Sequence, residues 1–148
     1  MINLGIYIKD LSNTPLLQAV QSEIAKAKSD GDVSDVSIFF DDIGPINFKV
    51  DAGIFNSADL WHFNGDLVTT CLETLIKSTS IVNNMNLYYC FDLRSAYDTL
   101  SMIRTVSKHD ISTIAFDNDS AMNFYRLTGR KPKSICNKFS GVVKTIIG

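Results

Sequence analysis

Four strand-like runs in this chain close on aspartate: Ile6-Tyr7-Ile8-Lys9-Asp10, Ser37-Ile38-Phe39-Phe40-Asp41-Asp42, Leu87-Tyr88-Tyr89-Cys90-Phe91-Asp92 and Thr113-Ile114-Ala115-Phe116-Asp117. Each is rich in β-branched and aromatic residues, as strands are. Segments with apolar residues at helical spacing lie between them, and strands that alternate with helices pair in parallel through right-handed crossovers. If the runs share one parallel sheet, all four acidic endings fall on its carboxyl edge. Open α/β sheets bind their ligands outside that edge.

Along the chain, residues 2–8 read as a first strand. Ser12-Asn13-Thr14-Pro15 then offers helix caps with proline at the first helical position. Leu16, Leu17, Val20 and Ile24 follow at helical spacing, and Asp30-Gly31-Asp32 closes the helix. The second strand is expected at Val36 to Phe40. The stretch from Asp41 to Leu60, interrupted by Ile43-Gly44-Pro45, reads as loop or irregular strand with a short extended piece at Phe48-Lys49-Val50. A short helical turn is expected near Ser57 to Trp61, a strand at Leu67 to Thr70, and a helix carrying Leu72, Leu75 and Ile76. Further on come a strand at 87–91 and a helix at 95–108 with Leu100, Ile103 and Val106 on its apolar face. A strand at 111–116, a helix at 120–127, a strand at 134–136 and a tail complete the chain. This order predicts a single α/β domain over residues 1–148: a doubly wound, mainly parallel sheet with helices on both faces, a Rossmann-like or flavodoxin-like three-layer sandwich.

A chain of 148 residues with 45% hydrophobic and 20% charged content can bury a core without disulfide or metal support. Its net charge of −2 and lack of a basic run give no electrostatic reason to expect nucleic acid. Cys71, Cys90 and Cys136 are widely spaced within apolar segments, which suits free thiols in a reducing compartment. No stretch has the length and apolarity of a membrane span, and the first residues lack a basic leader with a cleavage site. A cytoplasmic protein is the expectation.

Glu23 and Glu73 are the only glutamates, so the acids are almost all aspartate. A short carboxylate reaches nearby backbone N–H groups, which makes aspartate a cap and turn former. Capping is therefore the plain explanation of the acidic strand ends. The chemical alternative is a magnesium ion, held if two or three carboxylates converge, with the pair Asp41 and Asp42 as the leading ligands. Asp10, Asn13 and Thr14 lie where the start of the first helix favours an anion. The absence of a glycine after Gly5 in that loop excludes a dinucleotide fingerprint and a triphosphate loop. Asp92, Arg94 and Asp117 complete the edge, and His62, between Trp61 and Phe63, is a candidate pocket residue. His109 suits a helix C-cap, and Arg126 with Arg130-Lys131 suits phosphate or solvent.

Ser12-Asn13-Thr14 and Trp61 resemble the hydroxyl-rich first loop and the ring-stacking aromatic of flavodoxins, which implies a flavin binder. A longer resemblance covers most of the chain. Ala58-Asp59-Leu60-Trp61-His62-Phe63-Asn64-Gly65, Leu87-Tyr88-Tyr89, Thr113-Ile114-Ala115-Phe116 and Gly129-Arg130-Lys131-Pro132-Lys133-Ser134-Ile135-Cys136-Asn137 together resemble the amino-terminal Rossmann-like domain of GT-B glycosyltransferases. That family's donor-binding second domain has no room here. The resemblance thus implies a stand-alone acceptor-side half, a subunit or a reused relic, with a sugar or nucleotide-like ligand at the strand carboxyl edge. The alternative from the residues themselves is a non-catalytic module that docks on a protein through the exposed aromatics around Trp61, Phe63 and Phe55, and an oligomer is a further expectation.

Overall fold

The first strand, β1 (Ile2–Leu11), feeds a helix, α1 (Pro15–Ser29), and returns as β2 (Val33–Ile43) in the computed structural model, which describes residues 1–47 and 49–148. Pro15 opens α1 where its missing N–H costs nothing, and the Thr14 hydroxyl accepts the Leu17 N–H at 3.2 Å. There follow β3 (Gly53–Asn56), a 3₁₀ turn η1 (Ser57–His62), β4 (Gly65–Thr69), α2 (Leu72–Thr79), β5 (Met85–Phe91) and α3 (Thr99–Lys108). The chain ends through β6 (Ile111–Ala115), α4 (Asn118–Thr128), β7 (Ser134–Ile135) and α5 (Val142–Ile147).

The seven strands form one sheet in the order β3-β2-β1-β4-β5-β6-β7, and every adjacent pair is parallel. This is a Rossmann-like α/β fold, doubly wound about a switch between β1 and β4. Winding toward β2 with right-handed crossovers puts α1 on one face, and winding toward β5, β6 and β7 puts α2, α3 and α4 on the other. Leu4, Ile6 and Ile8 of β1 accordingly pack with Leu17, Val20 and Ile24 of α1 and with Val142, Val143 and Ile146 of α5. The opposite side chains, Tyr7, Phe39 and Leu67, pack under η1 with Leu60 and Phe63. On that same face Tyr89 and Phe91 pack with Leu72, Met102 and Phe124.

Three differences from the sequence reading have physical causes. β1 and β2 run three residues beyond the expected ends and keep pairing to Leu11 and Ile43. Asp10, Asp41 and Asp42 therefore lie inside strands, Asp10 and Asp42 are register partners, and only Asp92 and Asp117 follow theirs. α3 begins at Thr99 rather than near 95 because the Asp98 carboxylate accepts the Leu100 and Ser101 N–H groups. In that helix Met102 and the expected Val106 are buried, whereas Leu100 is exposed.

Within the stretch read as loop, β3 pairs with β2, although all four of its residues are exposed. Of the extended piece expected at 48–50, Phe48 lies outside the described residues, and Lys49 and Val50 form no strand. The tail carries α5, which the reading omitted. Gly141 enters it at φ 90°, a left-handed conformation suited to glycine, with no side chain to cap it. The cap comes from α1: the buried Glu23 carboxylate accepts the N–H groups of Gly141 at 3.0 Å and Val143 at 3.1 Å. Lys144 adds an ion pair to Asp32 at 2.7 Å. Among the described residues no helix is long and apolar enough to cross a membrane.

Candidate functional site

At the carboxyl edge the acids engage their own surroundings. Asp117 caps α4, its Oδ1 accepting the Ser120 N–H at 2.7 Å, while its Oδ2 accepts from the Arg94 guanidinium. Arg94 also donates to Asp92 Oδ1, through its backbone N–H at 3.0 Å and its guanidinium at 3.1 Å. The Ser120 N–H and, after it, Arg94 hold the Asp117 carboxyl below the usual carboxylate range. Arg94 therefore joins the ends of β5 and β6, with the carboxylates of Asp92 and Asp117 both paired to it.

Asp41 makes a second knot beneath η1. Tyr7, fully buried on β1, donates its hydroxyl to Asp41 Oδ1 at 2.5 Å, and Lys77 of α2 reaches Oδ2 at 2.7 Å. Burial would push the Asp41 carboxyl up, but the bonds from Lys77, Tyr7 and Ser57 outweigh it and leave the carboxyl lowered. Burial first, and the bond to Asp41 second, drive the Tyr7 phenol well above its ordinary value. Asp42 and Asp10 are exposed. Among the described residues no group of three His, Cys, Asp or Glu side chains is arranged to hold a metal ion.

At the β1–β4 switch, Thr70 donates both its N–H and its hydroxyl to the Tyr7 carbonyl, and Lys9 pairs with Glu73 at 2.6 Å across the opening. Thr14 serves as the cap of α1, and Asn13 donates to the Asn47 side chain. The loop is thus drawn toward residues 44–47, where the Gly44 N–H also bonds the Leu11 carbonyl at 2.9 Å.

A cleft of about 350 Å³ lies away from this edge, between η1 and the β2–β3 pair. Ser37, Phe39, Phe55, Asp59, His62 and Phe63 line it; of the sequence-derived candidates it includes His62 and two of the three docking aromatics, Phe55 and Phe63. Phe39 forms its floor, with ring centroids 5.9 Å from Phe55 and 5.4 Å from Phe63. Phe63, expected to be exposed, is buried because it fills the space above Gly5, where even a Cβ would come within 2.8 Å of its ring. Phe55 at 42%, Ile54 at 38% and Trp61 at 55% exposure remain open to solvent. Three bonds from the Asn83 amide, to the carbonyls of Leu60, Trp61 and Phe63, fix η1 and with it the Trp61 backbone. Asp59 and the edge strand were missed as site features because the pairing of β3 with β2 is what brings them together.

No protein-family model, curated protein or solved structure matches this chain.

Proposed function

We propose that this chain is a protein-binding module that takes an extended segment of a partner along the outer edge of β3. The observation that carries this reading is the junction of an unpaired strand edge with apolar side chains left in water: among the described residues β3 pairs on one side only, Phe55 lines the aromatic cleft and is exposed, and Ile54, on the other face of the strand, and Trp61, beside the lining residue His62, are exposed as well. An added strand would satisfy the free backbone groups, and alternate side chains would enter the cleft. Apolar residues flanked by a basic one suit it, since Asp59 stands on the rim. Selection from a displayed library of random peptides tests the idea. Enriched peptides should bind the wild type and lose at least tenfold in affinity to Trp61→Ala, about 1.4 kcal/mol. Failure to enrich any sequence, or binding indifferent to Trp61 and Phe55, refutes it.

A second reading is a sugar or nucleotide-like ligand at the carboxyl edge, in keeping with the glycosyltransferase-like pattern of the sequence. It is supported by the reversal of strand order between β1 and β4, the place where such sheets form a ligand crevice. Thermal unfolding with nucleoside diphosphates and sugar nucleotides, with and without magnesium, tests it. A ligand at a hundred times its dissociation constant adds about 2.7 kcal/mol, and the absence of any shift removes this reading.

A further inference from the structure

We infer that the partner of the β3 edge is the opposite edge of a second copy of this chain, so that copies add head to tail. This rests on the reading of β3 as a docking edge and names its partner. The opposite edge is β7, and beside it lies a shallow apolar depression formed by Met122, Tyr125, Pro132 and Ile135, with Lys131 at its border. Met122, Tyr125 and Ile135 are each about half exposed, at 52%, 49% and 51%. Both ends of the sheet therefore leave large side chains in water.

Strand direction and sheet face agree with this pairing. Because all seven strands are parallel, β7 of one copy laid against β3 of another continues the same parallel sheet with the same faces up. Phe55 lines the cleft on the face covered by η1, the turn that also carries Trp61, and Met122 and Tyr125 belong to α4, which covers that same face at the other edge. In a continued sheet the two apolar patches come together on one side. No two-fold arrangement unites the β3 patch with the β7 patch at a single interface, since such interfaces join a surface to itself.

Charge selects the same arrangement. Residues 1–64, which carry β1, β2 and β3, hold nine of the sixteen acids and four of the fourteen bases. Residues 65–148, which carry β4 to β7, hold seven acids and ten bases. The exposed Asp59 stands by the β3 patch, and the exposed Lys131 stands by the β7 patch. Joining β3 to β3 or β7 to β7 sets like charges together, whereas β3 to β7 sets opposite ones together. The twist of the sheet rotates each added copy, so the association is open-ended rather than closed.

Edge-specific variants test this by sedimentation velocity over a range of protein concentration. The wild type should grow in mass with concentration from its 16.4 kDa monomer. Ile54→Lys and Ile135→Lys, each blocking one edge at an exposed position, should be monomers alone and should form a one-to-one dimer when mixed, because each retains the edge the other lacks. Circular dichroism confirms that both fold, and Trp61→Lys and Met122→Lys replace them if either does not. A wild type that stays monomeric at every concentration overturns the inference. So does a variant that still self-associates alone, or a mixture that stays monomeric. If the wild type is monomeric yet peptides selected on it still depend on Trp61, the docking edge stands and only its partner is wrong.

Discussion

Removing the Glu23 carboxylate should detach the last helix from the first. Glu23 sits on the buried face of α1 and is 5% exposed, and it accepts two backbone N–H groups at the start of α5 at 3.0 and 3.1 Å. A hydrogen bond to a charged group contributes about 1.5–3 kcal/mol, and leaving a buried N–H without a partner costs about 1–3 kcal/mol. Gly141 has no side chain to take over the cap, and the Val143 N–H is buried. Glu23→Ala should therefore cost about 3–5 kcal/mol, and Glu23→Gln, which keeps one accepting oxygen, about 1.5–3 kcal/mol. For a domain of this size each kcal/mol lowers Tm by about 2–4 °C, so Glu23→Ala should lose about 6–20 °C. Denaturant unfolding gives the energies, and amide hydrogen exchange locates them: protection should fall first over residues 141–147 of α5. A Glu23→Ala protein within about 0.5 kcal/mol of the wild type, with α5 exchange unchanged, refutes the assignment of Glu23 as its cap.

Asp41, lowered in the folded protein, stabilises it above the unfolded carboxylate value near 4, and that contribution disappears as pH falls through the folded value. Asp41→Asn should flatten the loss of stability below about pH 4 relative to the wild type, as read from urea midpoints against pH; an unchanged acid limb counts against this. Tyr7→Phe removes the phenol bond to Asp41 and should cost about 1–3 kcal/mol in the same assay near neutral pH. Gly65→Ala should be destabilising by more than about 1 kcal/mol, because φ is 143° there and the added Cβ would lie 2.4 Å from the Asn3 carbonyl oxygen. Arg94→Ala should leave the thermal midpoint nearly unchanged, since the side chain is largely exposed despite its two carboxylate partners; a clear drop in the midpoint would make the joint between β5 and β6 structural.

The layered fold was legible because it rests on local signals. Apolar runs at 38–40, 87–91 and 113–115, the Thr14-Pro15 start and the Gly129 stop each lie within a few residues of the element they define. Gly129 indeed ends α4 at φ 72°, and His109 follows α3 as its C-cap. β3 was hidden because Gly53-Ile54-Phe55-Asn56 is short and exposed on both faces, so no alternation marks it; its partner strand supplies the order. α5 was hidden because it is six residues long and is capped by a side chain 118 positions away.

The candidate site divides along the same line. Asp92, Arg94 and Asp117 stand in the sequence among eight candidates for one edge, and it is the register of β5 with β6 that brings these three together. Asp41 was paired in the sequence with its neighbour Asp42, but its partners are Tyr7 and Lys77, 34 and 36 positions away. Alternation points the two aspartates to opposite faces of the strand. The sequence by itself determined most of the alternation of strands and helices and a mainly parallel sheet, because periodicity, caps and crossover handedness act over short stretches. Only the tertiary structure decided which acids are paired, which aromatic is buried, and that an edge strand with exposed side chains stands beside a cleft. Those outcomes depend on the register between strands and on the face each side chain occupies, and neither is written in any one segment.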